Sequence, residues 1–250
     1  MRTLITAMAL IGLPAYAQPG SLVVSVAASL HEALVEIAER YRAQTGVTVA
    51  LNTGGSNTLA RQIVEGAPAG LFLSADDVQM DVVEKAGRIV AGTRTRLLTN
   101  ELAIVVPESP RSTVTLEQVL DGRINRLAMG EPSAVPAGVY GRRFLERRGA
   151  WPRVQPRVVP FPTVRAVLAA VEAGRVDAGV VYRTDAMSAR VRVIAQAADP
   201  DIVQPVAVIA GPMAQEARRF LEFLKGDQAR AVFKRRGFGT PALSESKHER

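Results

Sequence analysis

Two serines stand where a strand pattern gives way to a helix pattern, a placement suited to holding an anion. Ser29 follows Leu22-Val23-Val24-Ser25-Val26, and Ser56 lies in Asn52-Thr53-Gly54-Gly55-Ser56-Asn57-Thr58, after the run Val47 to Leu51. A hydroxyl can accept from a backbone N–H and still donate its own proton. A helix N-terminus adds unbonded N–H groups and the positive end of the helix dipole, so no charged side chain is required. Taken alone, Ser29-x-x-Glu32 reads as a capping box in which Ser29 only closes the helix end; the two roles are compatible. Gly54-Gly55 lets the backbone approach a ligand, or forms an ordinary turn, and lacks the lysine and spacing of a nucleotide phosphate loop. Later in the chain, Val135-Pro136-Ala137-Gly138 places proline where a helix begins, which leaves the N–H of Ala137, Gly138 or Val139 to point outward. Thr163 is expected to cap a further helix, with the Val164 N–H exposed beside it. Tyr182 ends Val180-Val181-Tyr182, where its phenol either donates to a ligand or sits half-buried at an interface.

The elements that must position these residues alternate. Leu30, Leu34, Ile37 and Tyr41 recur at helical spacing and Gly46 ends that helix. Leu59 and Ile63 mark a second helix, residues 70 to 74 a third strand, and Val78 to Ala86 a third helix before Gly87. Strands are expected at residues 103 to 106, 127 to 129, 158 to 159, 176 to 182 and 205 to 209. Helices are expected around Leu116, from Ala137 to Arg148, from Val164 to Val171, and around Phe220. This order predicts an α/β fold of mainly parallel sheets flanked by helices, with ligands held beyond the carboxyl ends of the strands. The pattern starts afresh near residue 100 and returns near 205. It therefore predicts two lobes: residues 18–102 and 205–243 in the first and 103–204 in the second, with a disordered polar tail at 244–250.

The N-terminus adds a destination. Met1-Arg2-Thr3 precedes a short apolar run and Ala15-Tyr16-Ala17, which predicts a signal peptide over residues 1–17, cleaved after Ala17. The run is too short to span a bilayer core of about 30 Å, and no later stretch is long enough either. With no cysteine, thiol chemistry and cysteine-based metal sites are excluded. The net charge of +7 suits an anionic ligand and also fits a solvated surface with a chance excess. The basic residues are scattered and only 5% of residues are aromatic, which argues against nucleic-acid binding.

Taken together, these segments resemble the periplasmic molybdate-binding proteins of ABC importers. The resemblance is carried by Ala27-Ala28-Ser29-Leu30, by Ser56 to Ile63, by Glu65-Gly66-Ala67-Pro68-Ala69 and by Phe72-Leu73-Ser74-Ala75-Asp76. Val135 to Tyr140, Gly179 to Tyr182 and Phe233 to Phe238 extend it almost end to end. It implies a two-lobed periplasmic-binding-protein fold of type II with a hinged cleft. It also implies that Ser29 and Ser56 donate hydroxyls to a tetrahedral oxyanion, that Ala137 and Val164 donate backbone N–H groups, and that Tyr182 donates its phenol. The ligand implied is molybdate or tungstate, with no further cofactor. The partner implied is a membrane permease, the place the periplasm, and the protein a monomer. The chain departs from the family pattern at Gly70, where aspartate is common, and at Asn57, where serine is common.

Other readings fare less well. An enzyme would need partners for His31 or His248, and neither has a credible serine–carboxylate pair. Asp76-Asp77 and Asp199-x-Asp201 read as caps or turns rather than metal ligands. A regulator's effector domain would lack its helix-turn-helix. The nearest rival ligand is another oxyanion such as sulfate, which uses the same donors and differs in size.

Overall fold

β1 (Ser21–Ala27) and β2 (Thr48–Gly54) pair in parallel, and β1 also pairs in parallel with β3 (Leu71–Leu73). The connections are α1 (His31–Thr45) and α2 (Ser56–Val64), and α3 (Asp77–Lys85) follows β3. A second parallel set is formed by β5 (Leu127–Gly130), β6 (Val158–Phe161) and β7 (Ala178–Tyr182), with α5 (Pro136–Arg147) and α7 (Val164–Glu172) among the crossovers. Short helices α4 (Leu116–Leu120), α6 (Trp151–Val154) and α8 (Arg183–Ala186) fill the turns. Two long strands, β4 (Thr95–Pro107) and β8 (Val191–Val208), run between the sets and pair antiparallel, and α9 (Ala214–Lys225) and α10 (Asp227–Arg235) close the chain. The resulting eight strands lie in the order β2-β1-β3-β8-β4-β7-β5-β6. The computed structural model describes residues 21–109 and 112–241. The expected signal peptide, the tail at 244–250 and His248 fall outside the described residues.

The β-α alternation follows from apolar periodicity. β1 buries Leu22, Val24 and Val26 completely, while α1 turns Leu34, Ile37 and Tyr41 onto the same core. Each such side chain contributes roughly 1.5–3 kcal/mol by leaving water. Gly46 ends α1 with φ 75°, a left-handed conformation that glycine adopts without strain. Leu59 and Ile63 of α2 and Met80 and Val83 of α3 enclose Phe72 in a smaller cluster on the other face.

Two expected strands are much longer than the sequence suggests. The strand expected at 103–106 begins at Thr95, and the one expected at 205–209 begins at Val191. Pairing between them shifts register, from Thr99 opposite Val203 to Glu101 opposite Ala198, so residues 199–202 bulge. Asp199 Oδ1 accepts from the Asp201 N–H at 3.1 Å inside that bulge. Turn residues thus interrupt a strand that the ladder with β4 carries through. No helix among the described residues is long and apolar enough to cross a membrane. In the same region no group of three or more histidine or acidic residues is placed to hold a metal ion.

Candidate functional site

The turns that follow β1, β2, β6 and β7, together with the start of α5 beyond β5, converge on one cavity of ≈ 20 Å³ between the two lobes. Ser29, Ser56, Ala137, Val164 and Tyr182 all line it, and none of its lining residues carries a charge. This volume leaves no room for an extended solute.

In the first lobe the donors are side chains. Ser56 opens α2 and is 1% exposed, and its Oγ accepts from the Ala75 N–H at 2.9 Å. One lone pair is thereby engaged and the hydroxyl proton is left to donate. Ser29 corrects the expectation of a capping box. It lies within a 3₁₀ turn, Ala28–Leu30, whose N-cap is Ala27, and α1 begins only at His31. Displaced from the N-cap, Ser29 caps nothing: its Oγ is buried without a hydrogen-bond partner. Glu32, expected to reach back to Ser29, instead bonds Arg165 of the second lobe. His31 Nδ1 lies 2.9 Å from Thr53 Oγ1.

In the second lobe the donors are mostly backbone. Ala137 is the second residue of α5 and Val164 the first of α7, positions whose N–H groups have no acceptor within the helix. Gly138 and Val139, the other candidates in that turn, both donate to the Val135 carbonyl, at 2.8 and 2.9 Å. That leaves Ala137. A side chain at Gly138 would stand 2.1 Å from the Gly130 carbonyl oxygen, so glycine is what lets α5 start against the end of β5. Thr163 caps α7 as expected, accepting from the Ala166 N–H at 3.2 Å. Tyr182 is 1% exposed rather than half-buried, and its phenol oxygen has no partner. A buried hydroxyl left unpaired costs about 1–3 kcal/mol, so two of them facing one neutral cavity point to a missing acceptor. Burial, with Tyr140, Asp76 and Asp185 nearby, raises the Tyr182 phenol well above its usual range, which keeps it protonated as a donor.

The neighbouring carboxyls are muted. Asp76 caps α3 by accepting from the Gln79 N–H at 2.9 Å, and burial raises it to about 6. Asp185 accepts from the Tyr182 N–H at 3.2 Å and is raised to about 7, again by burial. Burial thus disfavours the charged form of both, more strongly for Asp185 than for Asp76, near a cavity fit for an anion. Sequence reasoning assigned Asp76 only a capping role and did not single out Asp185, because a buried carboxyl has no local pattern.

The lobes meet at this place. A side chain at Gly55 would fall 2.9 Å from the Pro162 carbonyl oxygen of the second lobe and 2.8 Å from Asn57 Oδ1. That Oδ1 is buried and unpartnered, so the departure at Asn57 sits behind the cavity's glycine turn. At Gly70, the other departure, a Cβ would stand 2.5 Å from Leu22 Cδ1 and 3.0 Å from Met213 Cβ, so aspartate here would require these side chains to shift.

Comparison with known proteins agrees with this architecture. The family model for bacterial extracellular solute-binding proteins matches residues 22–239. The molybdate-binding protein ModA of Escherichia coli is 38% identical over 236 residues, covering 90% of this chain and 91% of that protein. The periplasmic molybdate-binding protein of Azotobacter vinelandii superposes with a TM-score of 0.79 at 25% identity, covering 88% of this chain and all of that one. The sulfate-binding protein SubI of Mycobacterium tuberculosis shares the fold, with a TM-score of 0.74 at 17% identity, covering 88% of this chain and 86% of that one. With its two-lobed, type II periplasmic-binding architecture, the chain belongs to the family of bacterial extracellular solute-binding proteins, among relatives that include molybdate-binding proteins.

Proposed function

We propose that this protein binds molybdate in the interlobe cavity and delivers it to the permease of an ABC importer. The observation that carries the reading is an uncharged cavity ringed by donors whose acceptor is missing: Ser29 Oγ, Tyr182 Oη, the Ser56 hydroxyl proton, and the Ala137 and Val164 N–H groups. Hydrogen bonds to an anion are the strong, charge-assisted class, and they strengthen when closure removes water. The names of the relatives from Escherichia coli and Azotobacter vinelandii point to the same ligand. Donors fixed in this way favour a fully deprotonated tetrahedral dianion over hydrogen phosphate, whose proton needs an acceptor. Tungstate has the same charge and shape and is expected to bind as well. The protein acts by capture and release rather than by catalysis, as a monomer, and needs no cofactor beyond the ion. We further infer export to the periplasm with cleavage after Ala17, from the signal-like first 17 residues and the periplasmic relative.

Sulfate is the second reading, because the sulfate-binding neighbour has the same fold and the ion the same charge. Donors on two lobes meet a smaller ion less completely, so size should decide. Isothermal titration of the mature protein with molybdate, tungstate and sulfate tests both readings. One-to-one binding of the first two with sulfate silent is expected; sulfate alone binding would move the function to the second reading, and silence from all three would refute both.

A further inference from the structure

A larger pocket of ≈ 440 Å³ adjoins the small cavity, and Ser29 lines both. The two differ in character. The small cavity has no charged lining, whereas the larger pocket carries Glu32, Arg165, Glu172, Asp185 and Arg236 and reaches exposed residues such as Ser188. At the pocket, an ion pair joins the lobes: Glu32 of α1 with Arg165 of α7. Its placement follows from the two donor turns. Glu32 lies three residues after Ser29, and Arg165 directly follows Val164, so bringing those donors around one ion also brings these charges together. The other charges of the pocket have partners of their own. Arg236 lies 3.8 Å from Glu36, Glu172 accepts from the Arg190 N–H at 3.0 Å, and Asp185 holds the Tyr182 N–H.

We propose that this pocket is the vestibule through which the oxyanion reaches Ser29, and that the Glu32–Arg165 ion pair is its gate. The gate rests on the oxyanion reading and adds a route and two working residues to it. An arriving dianion competes with Glu32 for the Arg165 guanidinium, which draws the anion inward and breaks this one contact between the lobes. Once the ion has passed to the neutral donors, Arg165 returns to Glu32 and the pair holds the lobes closed behind it. Glu32 is suited to this because its hydrogen bond from Arg165 holds its carboxyl below the usual range, so it stays charged. The side chains are 40% and 47% exposed for Arg165 and Glu32, so the pair can open readily and is worth a modest factor, about 2- to 5-fold in an equilibrium.

The test uses molybdate and the full mature protein. Affinity is measured by calorimetry, and release by chasing labelled molybdate with excess unlabelled ion; association is followed at low and high salt. Glu32→Gln and Arg165→Gln should each speed release about 2- to 5-fold. Association should respond in opposite directions: slower for Arg165→Gln, because an attractive charge is lost, and faster for Glu32→Gln, because a competitor is lost. Both association effects should shrink in high salt. The charge-swapped double variant Glu32→Arg/Arg165→Glu should restore slow release. A purely structural defect would move both single variants the same way and would not be rescued by the swap. Same-direction association effects, or release rates at the wild-type value in both single variants, would overturn the gate while leaving the oxyanion reading intact. Failure of that reading looks different: the wild-type protein itself would give no heat with molybdate.

Discussion

The two lobes present the same cavity with different chemistry. The first offers hydroxyls, Ser29 and Ser56, while the second offers the N–H groups of two helix starts together with the Tyr182 phenol. Hydroxyls can rotate toward a ligand and can be lost by substitution. An N–H at a helix start is fixed by the backbone and survives almost any side-chain change. The first lobe thus carries its half of the site in residue identity, and the second mostly in the path of its chain. Each lobe also holds one buried carboxyl close by, Asp76 in the first and Asp185 in the second.

The largest expected effect tests those carboxyls. Both have folded-state values raised by burial, from 3.8 to about 6 for Asp76 and to about 7 for Asp185. The native state therefore holds more protons than the unfolded chain between roughly pH 4 and 7. Their contribution is fully favourable below the unfolded value and is lost as pH rises through the folded one, by an amount on the order of a few kcal/mol. Urea midpoints taken across that window should fall with rising pH. Asp185→Asn keeps an acceptor for the Tyr182 N–H, so it should flatten the fall and raise stability at pH 8. An identical slope in the variant would mean that Asp185 does not titrate there, and the parallel between the two carboxyls would collapse.

Next in size is Ser56→Ala. Its hydroxyl does two things: it holds the Ala75 N–H and has a proton to spare. Removing it should weaken molybdate binding by about 1–3 kcal/mol and also cost the ligand-free protein about 1–3 kcal/mol by leaving a buried N–H unpaired. Calorimetry and thermal melts read the two losses separately. Wild-type affinity would remove Ser56 from the site.

Much of this fold is legible in the sequence where a pattern is local. Residues 30 to 46 show apolar spacing and a glycine stop, and they form α1 within a residue or two. Thr163 announces its cap. What the sequence hides is what depends on distant partners. Arg96, Thr99 and Glu101 lie outside the strand expected at 103–106, yet they are strand residues because β8 pairs with them. Ser29-x-x-Glu32 has capping-box spacing, but a 3₁₀ turn shifts the helix start, and Glu32 finds Arg165 across 133 residues of chain. The five residues named from the sequence do line one cavity, because each sits at a strand-to-helix turn that a parallel sheet brings to one edge. Helix position alone leaves Ala137, Gly138 and Val139 open; the resemblance names Ala137, and the hydrogen bonds of the other two to Val135 give the physical reason.

Tyr182→Phe sharpens the comparison from the second lobe. Unlike Ser56, the Tyr182 phenol has no partner within the ligand-free protein. Binding should weaken by about 1–3 kcal/mol, while ligand-free stability stays level or rises because an unpaired buried hydroxyl is removed. A melt that drops as far as that of Ser56→Ala would show that the phenol has a structural partner.

The smallest expected effect asks whether a backbone donor can be deleted at all. Val164 is the first residue of α7, where proline is favoured because its missing N–H has no helical partner to lose. Thr163 has φ −148° and ψ 156°, the extended conformation that a residue before proline requires. Val164→Pro should therefore fold, with far-UV circular dichroism unchanged, and should still lose the Val164 N–H at the cavity. The cost to affinity should be about 1.5 kcal/mol, the low end for a hydrogen bond to a charged group. Val164→Ala, which trims the side chain and keeps the N–H, is the control. If the alanine variant loses as much affinity as the proline one, the packing of the valine rather than its N–H matters, and the second lobe would depend on residue identity as the first does.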